Sequence, residues 1–197
     1  MDTNRSLYEI EVALAKHFEY LKNIVVFNVV GWGADVPVEH ECDCLVISKS
    51  GYLTEIEIKR SWADFLNDFK KTHLKREDSI KYFYYCIPEK LSEKAYDKLD
   101  EVIESNKDFD YSGIILYDED LNITVGGKRI KSFFDPGKYS YINNPIHYNK
   151  LYLEQKLAIA RLGCIKTIKE KKKIIDLQNK DAISDVDDGL IISDDPE

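Results

Sequence analysis

The chain has 197 residues, 44% of them hydrophobic and 32% charged, with nine glycines, five prolines and four cysteines, which excludes collagen-like, largely disordered and disulfide-scaffold classes. No run of about 18 uncharged apolar residues occurs, and Met1–Arg5 lacks the apolar core of a signal peptide, so a soluble, cytoplasmic protein without membrane contact is expected. The net charge of −8 is uneven: residues 176–197 carry eight acidic side chains against Lys180, a charge of −7, and the remainder, at −1, is open to a phosphate-bearing partner.

Leu7, Ile10, Leu14, Phe18 and Leu21 recur at helical spacing over residues 5–21, with Thr3 or Ser6 as N-cap. Three β-rich runs follow near 23–32, 40–48 and 52–60, separated by Gly33–Pro37 and by Lys49-Ser50-Gly51, and the second and third form a hairpin. Helical period returns over 61–75 through Trp62, Phe65, Leu66, Phe69 and His73. An aromatic strand runs from Lys81 to Ile87, then a helix over 91–105, a strand over 113–117 and a hairpin strand over 122–131. After the turn-rich stretch 135–147, residues 148–174 predict one long helix with Leu151, Leu157, Ala158, Ile165 and Ile168 inward. The lysines at 166, 169 and 171–173 complement its C-terminal dipole or meet phosphate. This divides the chain into a domain at 1–134, a helical extension at 135–175 and an acidic, disordered tail at 176–197.

Alternation over Leu53–Lys59 sets Leu53, Glu55, Glu57 and Lys59 on one face, and Thr54, Ile56 and Ile58 on the other. In the partner strand it sets Glu41, Asp43, Leu45 and Ile47 against Cys42, Cys44 and Val46. Two carboxylates and an ammonium thus share a face, either as a solvated face with cross-strand ion pairs or as a reactive constellation. In the first helix, Glu11 lies about 60° from the centre of the apolar stripe and Glu9 nearly opposite, so Glu11 is the better candidate to reach a site on the sheet.

The order Asp43, a turn, then Glu57-Ile58-Lys59 followed at once by a helix resembles the PD-(D/E)XK nuclease superfamily. The match spans roughly residues 5–88, and the string Tyr52–Lys71 followed by an aromatic strand ending in Pro88 resembles its MmcB-like branch, whose members are regarded as DNA-repair nucleases. One departure is Cys42, where the family pattern has proline before the aspartate. The resemblance implies an α/β fold: a restriction-endonuclease-like core, a mixed β-sheet flanked by helices in the order α-β-β-β-α-β, with a C-terminal helical extension. It implies a metal-dependent hydrolase of phosphodiester bonds, an endodeoxyribonuclease of DNA repair or processing, with Asp43, Glu57, Lys59 and Glu11 catalytic. Mg²⁺, with Mn²⁺ as substitute, would be bound by Asp43, Glu57 and the backbone carbonyl of Ile58, a hard oxygen set suited to that ion.

Glu55 is the candidate for a second metal or for an ion pair with Lys59 or Arg60. Arg60, Lys70, Lys71 and His73 are the candidate nucleic-acid contacts, the alternative being a solvated helix face. DNA is the expected partner, RNA the second choice, and a second copy or another protein is expected at the C-terminal helix or acidic tail. That tail is also a candidate internal mimic of DNA. The rival function is a catalytically inactive nucleic-acid-binding or protein-interaction module on the same fold. His40, Cys42 and Cys44 invite zinc, but residues two apart on a strand are about 6.6 Å apart while ligands on one ion must lie within about 4 Å, so small core residues and free thiols are expected. Tyr82–Tyr85 are expected to alternate through a central strand rather than to stack on bases.

Overall fold

The computed structural model describes residues 5–30, 36–38, 40–70, 79–105, 112–126 and 149–187. The first helix, α1 (Leu7–His17), starts with a capping box: Ser6 Oγ accepts from the Glu9 N–H, and the Ser6 N–H donates to Glu9 Oε2 at 2.9 Å. It ends at His17, so Leu21, expected inward, instead lies in the following turn and is exposed.

Strands β1 (Ile24–Val30), β2 (Glu41–Ile47) and β3 (Leu53–Ile58) form an antiparallel meander, and β4 (Ile80–Pro88), β5 (Ser112–Tyr117) and β6 (Ile123–Val125) follow in spatial order. The β3–β4 and β4–β5 pairs are parallel and β5–β6 is antiparallel. Parallel neighbours need crossovers. They contain α2 (Trp62–Asp68) and, after a 3₁₀ turn at Glu89–Leu91, α3 (Ser92–Ser105). The molecule is therefore a mixed α/β structure, a six-stranded mixed sheet flanked by helices.

Helix α1 covers one face, where Ile10 and Leu14 pack with Cys44, Ile56, Ile58, Cys86 and Ile115. On the other face Phe65, Ala95 and Leu99 of α2 and α3 pack with Phe83, Tyr85, Ile87 and Ile114. Next to them Val26, Val29, Cys42, Leu45 and Leu53 meet Ile159 of the long helix α4 (Leu153–Asp187). With both faces covered, all six residues of β3 are buried, its two glutamates included. Of the tyrosines in β4, Tyr85 is wholly buried and Tyr82 is 40% exposed, as alternation requires.

Three more sequence expectations change here. The long helix begins at Leu153 and runs on through Asp187, so the expected boundary at residue 175 falls inside it, while residues 188–197 lie outside the described residues. Its inward face is also different: Leu157, Ile165 and Ile168 are exposed, and Ile159 is fully buried. The phase is set by Gly163, where a Cβ would sit 3.1 Å from Val26 Cγ2, so the helix axis comes closest where the side chain is missing. The third change is in β2. Cys42 packs with Leu45 and Ile47 on the α4 face, whereas Cys44 and Val46 face α1, so the alternation reverses at Asp43. The reversal is shared by β1, where Phe27 packs toward α1 and Val26 and Val29 toward α4. Asn28, between the Phe27–Cys44 and Val29–Cys42 pairs, takes φ +52°, a left-handed conformation that asparagine tolerates better than most residues.

Candidate active site

The reversal at Asp43 is what builds the site. Backbone pairing between β2 and β3 runs from Ile47–Leu53 to Cys44–Ile56 and stops there. One position further the Asp43 side chain replaces the missing carbonyl, its Oδ2 accepting from the Ile58 N–H at 2.8 Å. The two strands thus part with a carboxylate at the fork. On the α1 side, Asn28 Nδ2 donates to Glu11 Oε1 at 3.0 Å, which draws the nearly buried Glu11 toward the same fork. Glu9 is occupied in the capping box, so of the two glutamates Glu11 is the one that reaches the sheet.

Beyond the fork, Glu57 and Lys59 share the face opposite α1. Lys59 Nζ lies 2.7 Å from Glu57 Oε2 and 3.0 Å from Asp68 Oδ1, and Tyr85 donates its hydroxyl to Asp68 Oδ2 at 3.1 Å. Asp68, which is not among the residues singled out from the sequence, is thus a central member of the cluster. The signal for it was available: it follows Phe65 by three residues, and Phe65 is the helix's anchor in the aromatic cluster, so both lie on the inward face. Ser61 caps α2, its side chain accepting from the Asp64 N–H, and so fixes the phase that aims Asp68 inward.

The electrostatics follow from burial and proximity. Burial, and then the Asp43 charge, raise the Glu57 carboxyl to about 7, although Lys59 opposes them. Burial pulls the Lys59 ammonium down, but Glu57 and Asp68 outweigh it and hold it above its ordinary range. Glu11 is raised by burial, against the Asn28 hydrogen bond, with the charges of Glu170 and Asp43 adding to the rise. Glu11, Asp43, Glu57 and Asp68 bring four carboxyl groups to the fork, against the ammonium of Lys59 beside Glu57 and Asp68 and that of Lys166 near Glu11. The donor set of Asp43 and Glu57 is all oxygen, the kind that a hard divalent cation takes. Ile58 is tied into the fork through its N–H.

The remaining candidates separate from this cluster. Glu55, the candidate for a second metal or for an ion pair with Lys59 or Arg60, pairs with neither cation and lies 2.7 Å from His40 Nε2, because His40 precedes β2 and folds back over β3. Arg60 lines a cavity of about 750 Å³ with Arg5, Trp62 and Lys90, facing the acidic turn Asp118–Asp120. Lys70 is exposed and donates to Asn67 Oδ1 at 2.9 Å; Lys71 and His73 lie outside the described residues. A second groove, about 910 Å³, runs between β1 and α4 and brings Lys166, Lys169 and Lys173 to the same wall as Glu11 and Asn28. Their i, i+3, i+7 spacing was legible, but which helix face met the sheet was not.

Among the described residues no helix is long and apolar enough to cross a membrane. No family model matches the chain, and no curated protein does. Among solved structures it is similar to SPO1766, a protein of unknown function from Silicibacter pomeroyi, at 14% identity and a TM-score of 0.47 over 90% of this chain and 94% of that one.

Proposed function

We propose that the protein is a divalent-metal-dependent nuclease that hydrolyses phosphodiester bonds in DNA on a restriction-endonuclease-like core of the PD-(D/E)XK type, with a role in DNA repair or processing. The observation that carries this reading is the Glu57–Lys59 pair beside a strand fork occupied by Asp43, with the Glu57 carboxyl raised to about 7 by burial and by Asp43. Asp43, Glu57 and the Ile58 carbonyl would hold Mg²⁺, or Mn²⁺ in its place; when bound, the ion supplies Lewis acidity and lowers the pKa of bound water. The chain's own groups do the rest. Lys59, braced by Asp68, offers a fixed positive charge to a phosphate oxygen, where charge builds up as the P–O bond breaks. Glu11, held by Asn28, closes the α1 side of the fork. Lys166, Lys169 and Lys173 along the groove, with Arg60 and Lys70, would meet the flanking phosphates.

One observation favours the inactive-module reading: Lys59 and Glu57 are 6% and 10% exposed at their side chains and already neutralise one another. The deciding experiment incubates the chain with single- and double-stranded DNA and with RNA in Mg²⁺, Mn²⁺ or EDTA, beside Glu57→Ala. Cleavage that needs the metal and disappears in Glu57→Ala is expected. Binding without cleavage in every metal would leave the inactive module.

A further inference from the structure

Glu55 is a carboxylate placed where the sheet has no water to offer. Its side chain is 2% exposed, on the face it shares with Leu53 and opposite Leu45 and Phe83 in the flanking strands. Burying a charge there is costly unless it is paired or bound to a metal. Its partners come from outside β3: His40 Nε2 lies 2.7 Å from Glu55 Oε1 and 3.5 Å from Cys42 Sγ. One ligand atom each from His40, Cys42 and Glu55 lies within 4.8 Å of the other two. This juxtaposition exists only because the alternation of β2 reverses at Asp43, which turns Cys42 to the Glu55 face and away from Cys44.

The donor triangle can be compared with what an ion requires. Tetrahedral zinc, with bonds of about 2.05 Å to nitrogen and about 2.3 Å to sulfur, needs N···S edges of about 3.5 Å and N···O edges of about 3.3 Å. The His40–Cys42 edge already has that length, and the His40–Glu55 edge, now a hydrogen bond, needs to open by only about half an ångström. Cys42 and Glu55 are held by the sheet on the buried side, while the His40 side chain, 36% exposed, leaves one side for a water as fourth ligand.

We propose that His40, Cys42 and Glu55 form a binding site for a borderline divalent transition metal of the zinc class, separate from the oxygen-only set at Asp43 and Glu57. Its N, S, O donors select against Mg²⁺, for which thiolate and imidazole are poor ligands. Bound there, the ion ties the segment entering β2 to the central strand one residue from Asp43, so it braces the fork from the opposite side to Asn28. The inference stands whether or not the chain cleaves DNA.

The test is a Co²⁺ titration of the tag-free full chain carrying Cys164→Ser, which removes the exposed thiol. One equivalent should give thiolate-to-cobalt charge transfer in the near ultraviolet with tetrahedral d–d bands; Zn²⁺ should abolish both and Mg²⁺ neither. The charge-transfer band should be lost in Cys42→Ser, be at least about tenfold weaker in affinity in His40→Gln, and persist in Asp43→Asn. Should Cys42→Ser not fold, the partly exposed His40 still supplies the decisive variant. Absence of the band in the parent chain, its indifference to His40→Gln, or its loss in Asp43→Asn would overturn the site and reduce the cluster to an ion pair and a hydrogen bond.

Discussion

Glu57→Gln tests the electrostatics of the fork without any assumption about substrate. The Glu57 carboxyl is raised from 4.5 to about 7 in the folded chain, so the folded state holds this proton more tightly than the unfolded state does. The sign follows by linkage: the stabilisation is complete below the unfolded value near 4.5 and is lost as pH rises through about 7. At about 1.4 kcal/mol per unit, the interval corresponds to about 3 kcal/mol, and the near-complete burial of the group leaves little solvent to screen it. Lys59 does not contribute to this slope, because its ammonium is raised above 10.5 and stays charged in both states throughout the interval. Urea unfolding of the parent and of Glu57→Gln at about pH 4.5 and pH 8 should therefore show the parent losing about 3 kcal/mol more than the variant across that range. Parallel pH dependences would mean that Glu57 titrates normally, that Asp43 and burial do not act on it, and that the fork is not the charged site described.

Lys59→Met leaves Glu57 and Asp68 buried without their cation and should destabilise the chain by about 3–5 kcal/mol at neutral pH in urea unfolding; where still folded, it should lose cleavage while Mn²⁺ affinity by calorimetry stays within a few-fold. Equal loss of both would make Lys59 structural. Ile159→Ala should cost about 2–5 kcal/mol in chemical denaturation, whereas Leu157→Ala should stay within about 0.5 kcal/mol, and the reverse ranking would restore the helix phase expected from the sequence. Gly113→Ala sets a Cβ 2.6 Å from Cδ1 and Cε1 of Tyr84, its partner across β4 and β5, and should cost about 1–3 kcal/mol. Most of that cost should vanish in a Tyr84→Ala background, and a persistent penalty would place the strain in the backbone.

The element order from α1 to β5 could be read from periodicity alone, because a helix or strand reports its solvent exposure every three to four or every two residues along its own chain. The same reading put Glu57 and Lys59 on one face and chose Glu11 over Glu9, since each of these is a statement about phase within a single element. What the tertiary structure decided lies between elements. The reversal at Asp43 depends on the left-handed Asn28 in another strand and on an Ile58 N–H fifteen residues away, so no alternation within β2 could announce it. That one reversal separated Cys42 from Cys44 and set it on the Glu55 face, while His40 lies before β2 and is not bound by the strand spacing on which the geometric objection to metal binding rested. The phase of α4 depended on the close approach of Gly163 to Val26, and Asp68 entered the candidate site because the crossover through α2 brings its inward face over β3 and β4. Local sequence sets which way each residue faces along its own element; which charges then meet depends on non-local pairing, where one irregular residue moves every side chain beyond it to the other face.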